Sequence, residues 1–94
     1  MNRNNGLLVK YFANYRDEAG LAEERIEPVP EKLGELLIDL EKRHPALELI
    51  GKDGDIAPFL IVLIDGRNAR LTGGLDSPLP PKGEVAIFPP IAGG

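Results

Sequence analysis

Leu33, Leu36, Leu37 and Leu40 fall at i, i+3, i+4 and i+7 in a stretch bracketed by Pro30 and Pro45. That spacing gathers the four side chains on one face of a helix. Pro30 stands near the first turn, where its missing N–H costs nothing, and Glu31 suits the positive end of the helix dipole. Lys42, Arg43 and His44 crowd the negative end, and Pro45 stops the helix. Gly34 weakens it by about 1 kcal/mol relative to Ala. A helix with one apolar face must bury that face against something, and the rest of the chain reads as strands.

Leu7 to Ala13, "LLVKYFA", is rich in β-branched and aromatic residues and predicts the first strand. "NYRDEAG" reads as a turn punctuated by Gly20, and Ala22 to Val29 as a second, more polar strand, the two forming a hairpin with a longer loop. "LIGKDGDIAP" is a turn-rich connection. Phe59 to Gly66, "FLIVLIDG", is the most hydrophobic run and predicts a strand buried on both faces. Asp65 to Asn68 predicts a tight turn into "ARL", "TGGLDSPLPPKG" a long loop, and Glu84 to Pro89 the last strand. No internal repeat stands out. The economical arrangement is an α+β domain with one helix packed on one face of a mixed sheet.

Ninety-four residues make a single domain, one that buries about 60–65 % of its unfolded surface. The absence of cysteine excludes a disulfide scaffold, a thiolate nucleophile and a Cys-based metal site. Eleven basic and fifteen acidic residues give a net charge of −4, which argues against nucleic acid and for partners with a basic docking face. No apolar run approaches membrane-spanning length and "MNRNNG" does not resemble a signal peptide, so the expected location is cytoplasmic, away from the membrane.

Strand parity carries further. Leu7, Val9, Tyr11 and Ala13 share one face of the first strand, and Leu8, Lys10 and Phe12 the other. Lys10 is costly in a core, so its face should be wet, and Phe12 goes with it. In the last strand Glu84 marks the face of Ala86 and Phe88 in the same way. If the two strands are neighbours, Phe12 and Phe88 form an exposed apolar patch of the kind that binds partners. The alternatives are that loops cover the two rings or that a bulge shifts the parity.

Ordinary enzyme sites find little support. The acidic residues of "RDEAG" and "AEERIE" read as solvated surface, and His44 as a helix C-terminal residue favoured by the dipole. "TGGL" lacks the lysine and following helix of a phosphate loop, and Ser77 has no histidine in reach. No metal ligand set is predicted. The end of the sequence, "FPPIAGG", is more pointed. Pro89 and Pro90 fix φ and send the chain out of the sheet, and the six residues after Phe88 span at most about 20 Å. Gly93 and Gly94 lack Cβ atoms, can thread a narrow channel and leave a terminal carboxylate unhindered. A carboxylate becomes reactive when adenylation turns one of its oxygens into a leaving group. A frayed terminus is the plain alternative.

"VKYFANYRDEAG", "VPEKLGELLIDLEKRHPAL" and "LTGGLDSPL…GEVAIFPPIAGG" together resemble the β-grasp, ubiquitin-like sulfur carriers of the MoaD/ThiS family, MoaD-type members most closely. The resemblance implies a β-grasp domain over residues 1–94, a mixed sheet on one main helix, with 1–5 a disordered start and 90–94 an extended, flexible reactive tail. It implies that Gly94 is adenylated by a ubiquitin-activating-type adenylyltransferase using ATP and magnesium, neither bound by this chain. A persulfide sulfur donor then makes the thiocarboxylate. Gly93 threads the channel, while Phe12, Phe88, Pro89, Pro90 and Ile91 form the partner-docking surface. The chain is then not catalytic alone but the sulfur-carrying small subunit of a molybdopterin synthase, serving its large subunit.

The loop around Lys52 to Pro58 is longer than in the shorter MoaD proteins, and "PPKGEV" replaces the frequent "DGDEV". The "LTGGLDSPL" segment recurs in a subgroup that includes carriers for cysteine synthesis and archaeal modifiers. Other sulfur acceptors therefore stand beside the molybdopterin one: a cysteine-forming enzyme, tRNA thiolation, or a lysine on another protein. A non-covalent interaction module with an incidental tail is a separate reading.

Overall fold

The computed structural model describes residues 6–90. The first strand, β1 (Leu7–Tyr11), is followed by a short helix, α1 (Asn14–Ala19), and by β2 (Glu23–Ile26), which pairs antiparallel with β1. The main helix, α2 (Leu33–Arg43), leads through a long connection to β3 (Ile61–Ile64), β4 (Arg67–Asn68) and β5 (Glu84–Phe88). The sheet order is β2-β1-β5-β3-β4, with β1 and β5 parallel at its centre and the other pairings antiparallel. This is the ubiquitin-like β-grasp arrangement, an α+β fold in which the sheet wraps one helix.

Leu33, Leu36, Leu37 and Leu40 of α2 are fully buried against Leu7, Val9, Tyr11, Val85 and Ile87 of the two central strands. Gly34 lies one position from that stripe, where an added Cβ would come 3.3 Å from both the Cβ and the carbonyl oxygen of Leu75. The residue that weakens the helix in isolation thus lets the turn at Gly74–Asp76 pack closely on it. The helix starts at Leu33, later than Pro30 and Glu31 suggest. Glu35 supplies the N-terminal carboxylate instead, its Oε1 accepting from the backbone N–H groups of Glu31 (3.1 Å) and Lys32 (3.2 Å).

Three further departures have physical causes. "NYRDEAG" is helical rather than a plain turn, because Tyr15 and Ala19, four apart, both reach the core edge before Gly20 ends α1. The run from Phe59 to Gly66 is buried on one face only: Val62 and Ile64 point inward, and Ile61 and Leu63 lie on the outer face. Among the described residues one long helix covers one side of the sheet, and no second layer buries the other. Phe59 precedes the strand and is 75 % exposed. The predicted long loop contains two single 3-10 turns, Ala69–Leu71 and Gly74–Asp76. Ser77 is buried there as structure, its Oγ donating to the Ala69 carbonyl at 3.2 Å and its own carbonyl accepting from Leu33 N–H at 2.9 Å.

The tight turn is where the sequence puts it. Asp65 (φ 48°) and Gly66 (φ 83°) form a two-residue connection between β3 and β4, with Ile64 opposite Arg67. Positive φ at both central positions is the type I′ requirement, and the Asp-Gly pair meets it.

Candidate functional site

The parity reading holds in both central strands. β1 and β5 alternate between buried and partly exposed residues, with Leu7, Val9 and Tyr11 inward and Val85 and Ile87 inward. Their parallel register sets Tyr11 beside Ile87, and Phe12 N–H donates to the Ile87 carbonyl at 3.0 Å. That carries the next residue of each strand to the same place on the outer face. The Phe12 and Phe88 rings meet edge to face, with centroids 5.5 Å apart and planes at 77°. Phe12 is 43 % exposed and Phe88 half-buried, so the pair is surface, and among the described residues no loop covers it and no bulge displaces it.

Neighbouring strands extend the patch. Ile61 pairs with Phe88 and Leu63 with Ala86. Toward the other end of the same face the character changes to charge, with Lys10 and Glu84 paired at 3.3 Å and Arg25 opposite Leu8. The apolar end is the end at which β5 finishes. Pro89, half-buried, and exposed Pro90 follow directly, outside any strand, so both stand beside the aromatic pair. Ile91, Gly93 and Gly94, the other residues assigned to docking and chemistry from the sequence, lie outside the described residues, as do 1–5.

Ala13, immediately after Phe12, has φ 53° and ψ −129°. A side-chain-bearing residue rarely adopts that conformation, and here it turns the chain sharply enough for Tyr15 N–H to bond back to the Phe12 carbonyl at 3.1 Å. The strain fixes Phe12 at the strand end. Nothing in an alanine announces this in the sequence.

His44 does more than complement a dipole. It caps α2, and its Nε2 lies 2.6 Å from Glu24 Oε2, the oxygen that also accepts the Tyr11 hydroxyl at 2.5 Å. The three residues tie the helix end to β1 and β2. Burial above all, and then the Glu24 carboxylate, push the Tyr11 phenol above its ordinary value, so it remains a donor. Among the described residues, no group of three His, Cys, Asp or Glu side chains could hold a metal ion, and no helix is long and apolar enough to cross a membrane.

A β-grasp sheet with an exposed aromatic pair beside the exit of its last central strand defines a ubiquitin-like domain. The chain belongs to the ThiS family, whose model matches residues 9–94, a family of sulfur carriers and ubiquitin-like modifiers. A protein of Archaeoglobus fulgidus assigned as a sulfur carrier is 38 % identical over 56 residues, 60 % of this chain and 57 % of that protein. This chain therefore spans less than two thirds of that relative. Small archaeal modifier protein 1 from Methanosarcina acetivorans is 33 % identical, with a TM-score of 0.80 over 96 % of this chain and 98 % of its own. A Pyrococcus furiosus protein assigned as molybdopterin converting factor subunit 1 is 32 % identical, with a TM-score of 0.69 over 90 % and 97 % of the two chains.

Proposed function

We propose that this chain is a sulfur carrier whose reactive group is the Gly94 carboxylate. Attack of that carboxylate on the α-phosphate of ATP, in a ubiquitin-activating-type adenylyltransferase holding magnesium, gives an acyl-adenylate and pyrophosphate. The terminal sulfur of a persulfide donor then displaces AMP. A second thiol splits the resulting acyl disulfide, leaving a thiocarboxylate on Gly94 and a disulfide on the donor side. Gly93 and Gly94 enter the active site, and Phe12, Phe88, Pro89, Pro90 and Ile91 hold the domain against the enzyme.

The observation that carries this reading is the placement of the Phe12–Phe88 pair at the point where β5 gives way to Pro89 and Pro90. A surface that grips a partner there delivers whatever follows Pro90 into that partner. Transfer of the sulfur to a pterin precursor, with this chain as small subunit of molybdopterin synthase, agrees with the likeness to the Pyrococcus furiosus protein. The test is intact mass after incubation with the cognate activating enzyme, ATP and a persulfide donor. Exchange of one oxygen for sulfur is expected, and an unchanged mass with an enzyme active on its own substrates refutes the reading.

A second reading uses the same activated Gly94 but ends in an isopeptide bond to a lysine of another protein. It is supported by the likeness to the archaeal modifier over nearly the whole of both chains. High-mass adducts that vanish when Gly93 and Gly94 are deleted support it. Delivery to a cysteine-forming enzyme or to tRNA thiolation shares the carrier chemistry and is separated by assaying those acceptors with the thiocarboxylated chain.

A further inference from the structure

A groove of about 900 Å³ opens between α1 and the connection that follows α2. Tyr15, Leu47, Ile50, Pro58, Phe59 and Leu60 make its apolar lining. Chain and backbone links tie its lining to both halves of the aromatic pair. Tyr15 N–H bonds to the Phe12 carbonyl, and Phe59 and Leu60 lead directly into Ile61, the strand partner of Phe88. Phe59 is held on the surface by a built loop rather than left on a loose one. Leu60 N–H closes a turn on the Ala57 carbonyl at 3.1 Å, and Arg70 Nη2 donates to the Ala57 carbonyl at 2.6 Å and reaches those of Pro58 and Leu60.

The rim is acidic. Glu41, Glu48 and Asp53 face the groove against one cation, Lys52. Glu41 is fixed in place, its Oε2 accepting from the backbone N–H groups of Leu49 (2.8 Å) and Ile50 (3.0 Å). Glu18 and Glu48 both act on the Tyr15 phenol, which burial and these two carboxylates push above its ordinary value. An exposed aromatic ring on an apolar floor, ringed by carboxylates, matches a segment that carries lysine or arginine among aliphatic side chains.

We infer that this groove is a second docking site, taking a basic, aliphatic segment of the activating enzyme while the Phe12–Phe88 face holds the body of that enzyme. The inference rests on the proposed function. It selects the activating enzyme because every reading of Gly94, carrier or modifier, passes through activation first. Gripping the carrier on two separate surfaces fixes its rotation, which a single patch beside the exit leaves free.

The experiment measures binding of the full chain to its cognate activating enzyme by calorimetry at two salt concentrations, with intact mass followed in parallel. Phe59→Ala is expected to weaken binding about tenfold or more. Glu48→Lys is expected to weaken it and to flatten its salt dependence, since one attractive charge is reversed. Leu71→Ser, at an 85 % exposed position outside the groove, is the control and should bind as wild type. Both groove positions are exposed, so unchanged melting curves exclude unfolding as the cause. Wild-type affinity and salt slope in both variants, while the wild-type chain acquires sulfur, overturn the inference and leave the proposed function standing. Wild-type binding with no mass change overturns the proposed function instead. Weakening by Phe59→Ala alone overturns the basic character assigned to the partner. A concentration-dependent dimer abolished by Phe59→Ala gives the groove to a second copy of the chain and overturns the assignment.

Discussion

Phe88→Thr separates the two roles an aromatic residue in a central strand can have. The ring is half-buried on the outer face and packs on Phe12 at 5.5 Å, an edge-to-face contact worth about 0.5–1.5 kcal/mol. Threonine is β-branched and, like the aromatic it replaces, suits a strand, so backbone preference adds little cost. The expected loss of stability is about 1 kcal/mol, a fall of roughly 4–8 °C in Tm for a domain of this size. Ile87→Ala, one residue away on the fully buried face, supplies the scale: it removes core volume and should cost about 2–5 kcal/mol. Docking should show the reverse order. A central anchor of an interface is worth about 2 kcal/mol or more, roughly 30-fold in Kd for the activating enzyme. Thermal melts and calorimetric binding on both variants decide the matter. If Phe88→Thr melts as low as Ile87→Ala while binding like wild type, Phe88 is core and the docking surface lies elsewhere.

Two other perturbations probe the frame around the site. Ala13→Gly relieves the strain of φ 53°, and after the extra backbone freedom of the unfolded glycine it should stabilise by about 1 kcal/mol, read as a higher Tm. A lower Tm would mean that Ala13 is unstrained. Tyr11→Phe addresses pH dependence: a phenol raised in the folded state contributes stability that is present below its unfolded value, about 10, and lost as pH rises beyond it. Wild type should therefore lose stability above about pH 10 more steeply than Tyr11→Phe, measured by urea unfolding across pH; parallel slopes refute the buried hydrogen bond.

Much of this was legible where a charge labelled a strand face. Lys10 and Glu84 each declare one side of their strand wet, so the positions of Phe12 and Phe88 follow from counting by two. "FLIVLI" carries no such label, and one-sided burial there depends on how many helices exist to cover the sheet, a property of the whole chain. The α2 stripe is strongly periodic and is read correctly, whereas six residues of α1 offer too few turns for a period to show. The Tyr11–Glu24–His44 cluster joins residues 13 and 20 positions apart, so no local pattern records it. Phe59 could have been suspected: placed just after Pro58, it stands outside the alternation that the strand proper begins at Ile61.

The central position of β5 has a mechanical consequence. Tension applied to the chain at Pro90 runs along β5. That strand is bonded on both sides, parallel to β1 and antiparallel to β3. Tension along its axis loads both ladders in shear, so their hydrogen bonds resist together; an edge strand pulled sideways would open one bond at a time. The domain can therefore be pulled through Pro90 without unravelling, as a rope holds when its anchor is spliced into the middle of the weave.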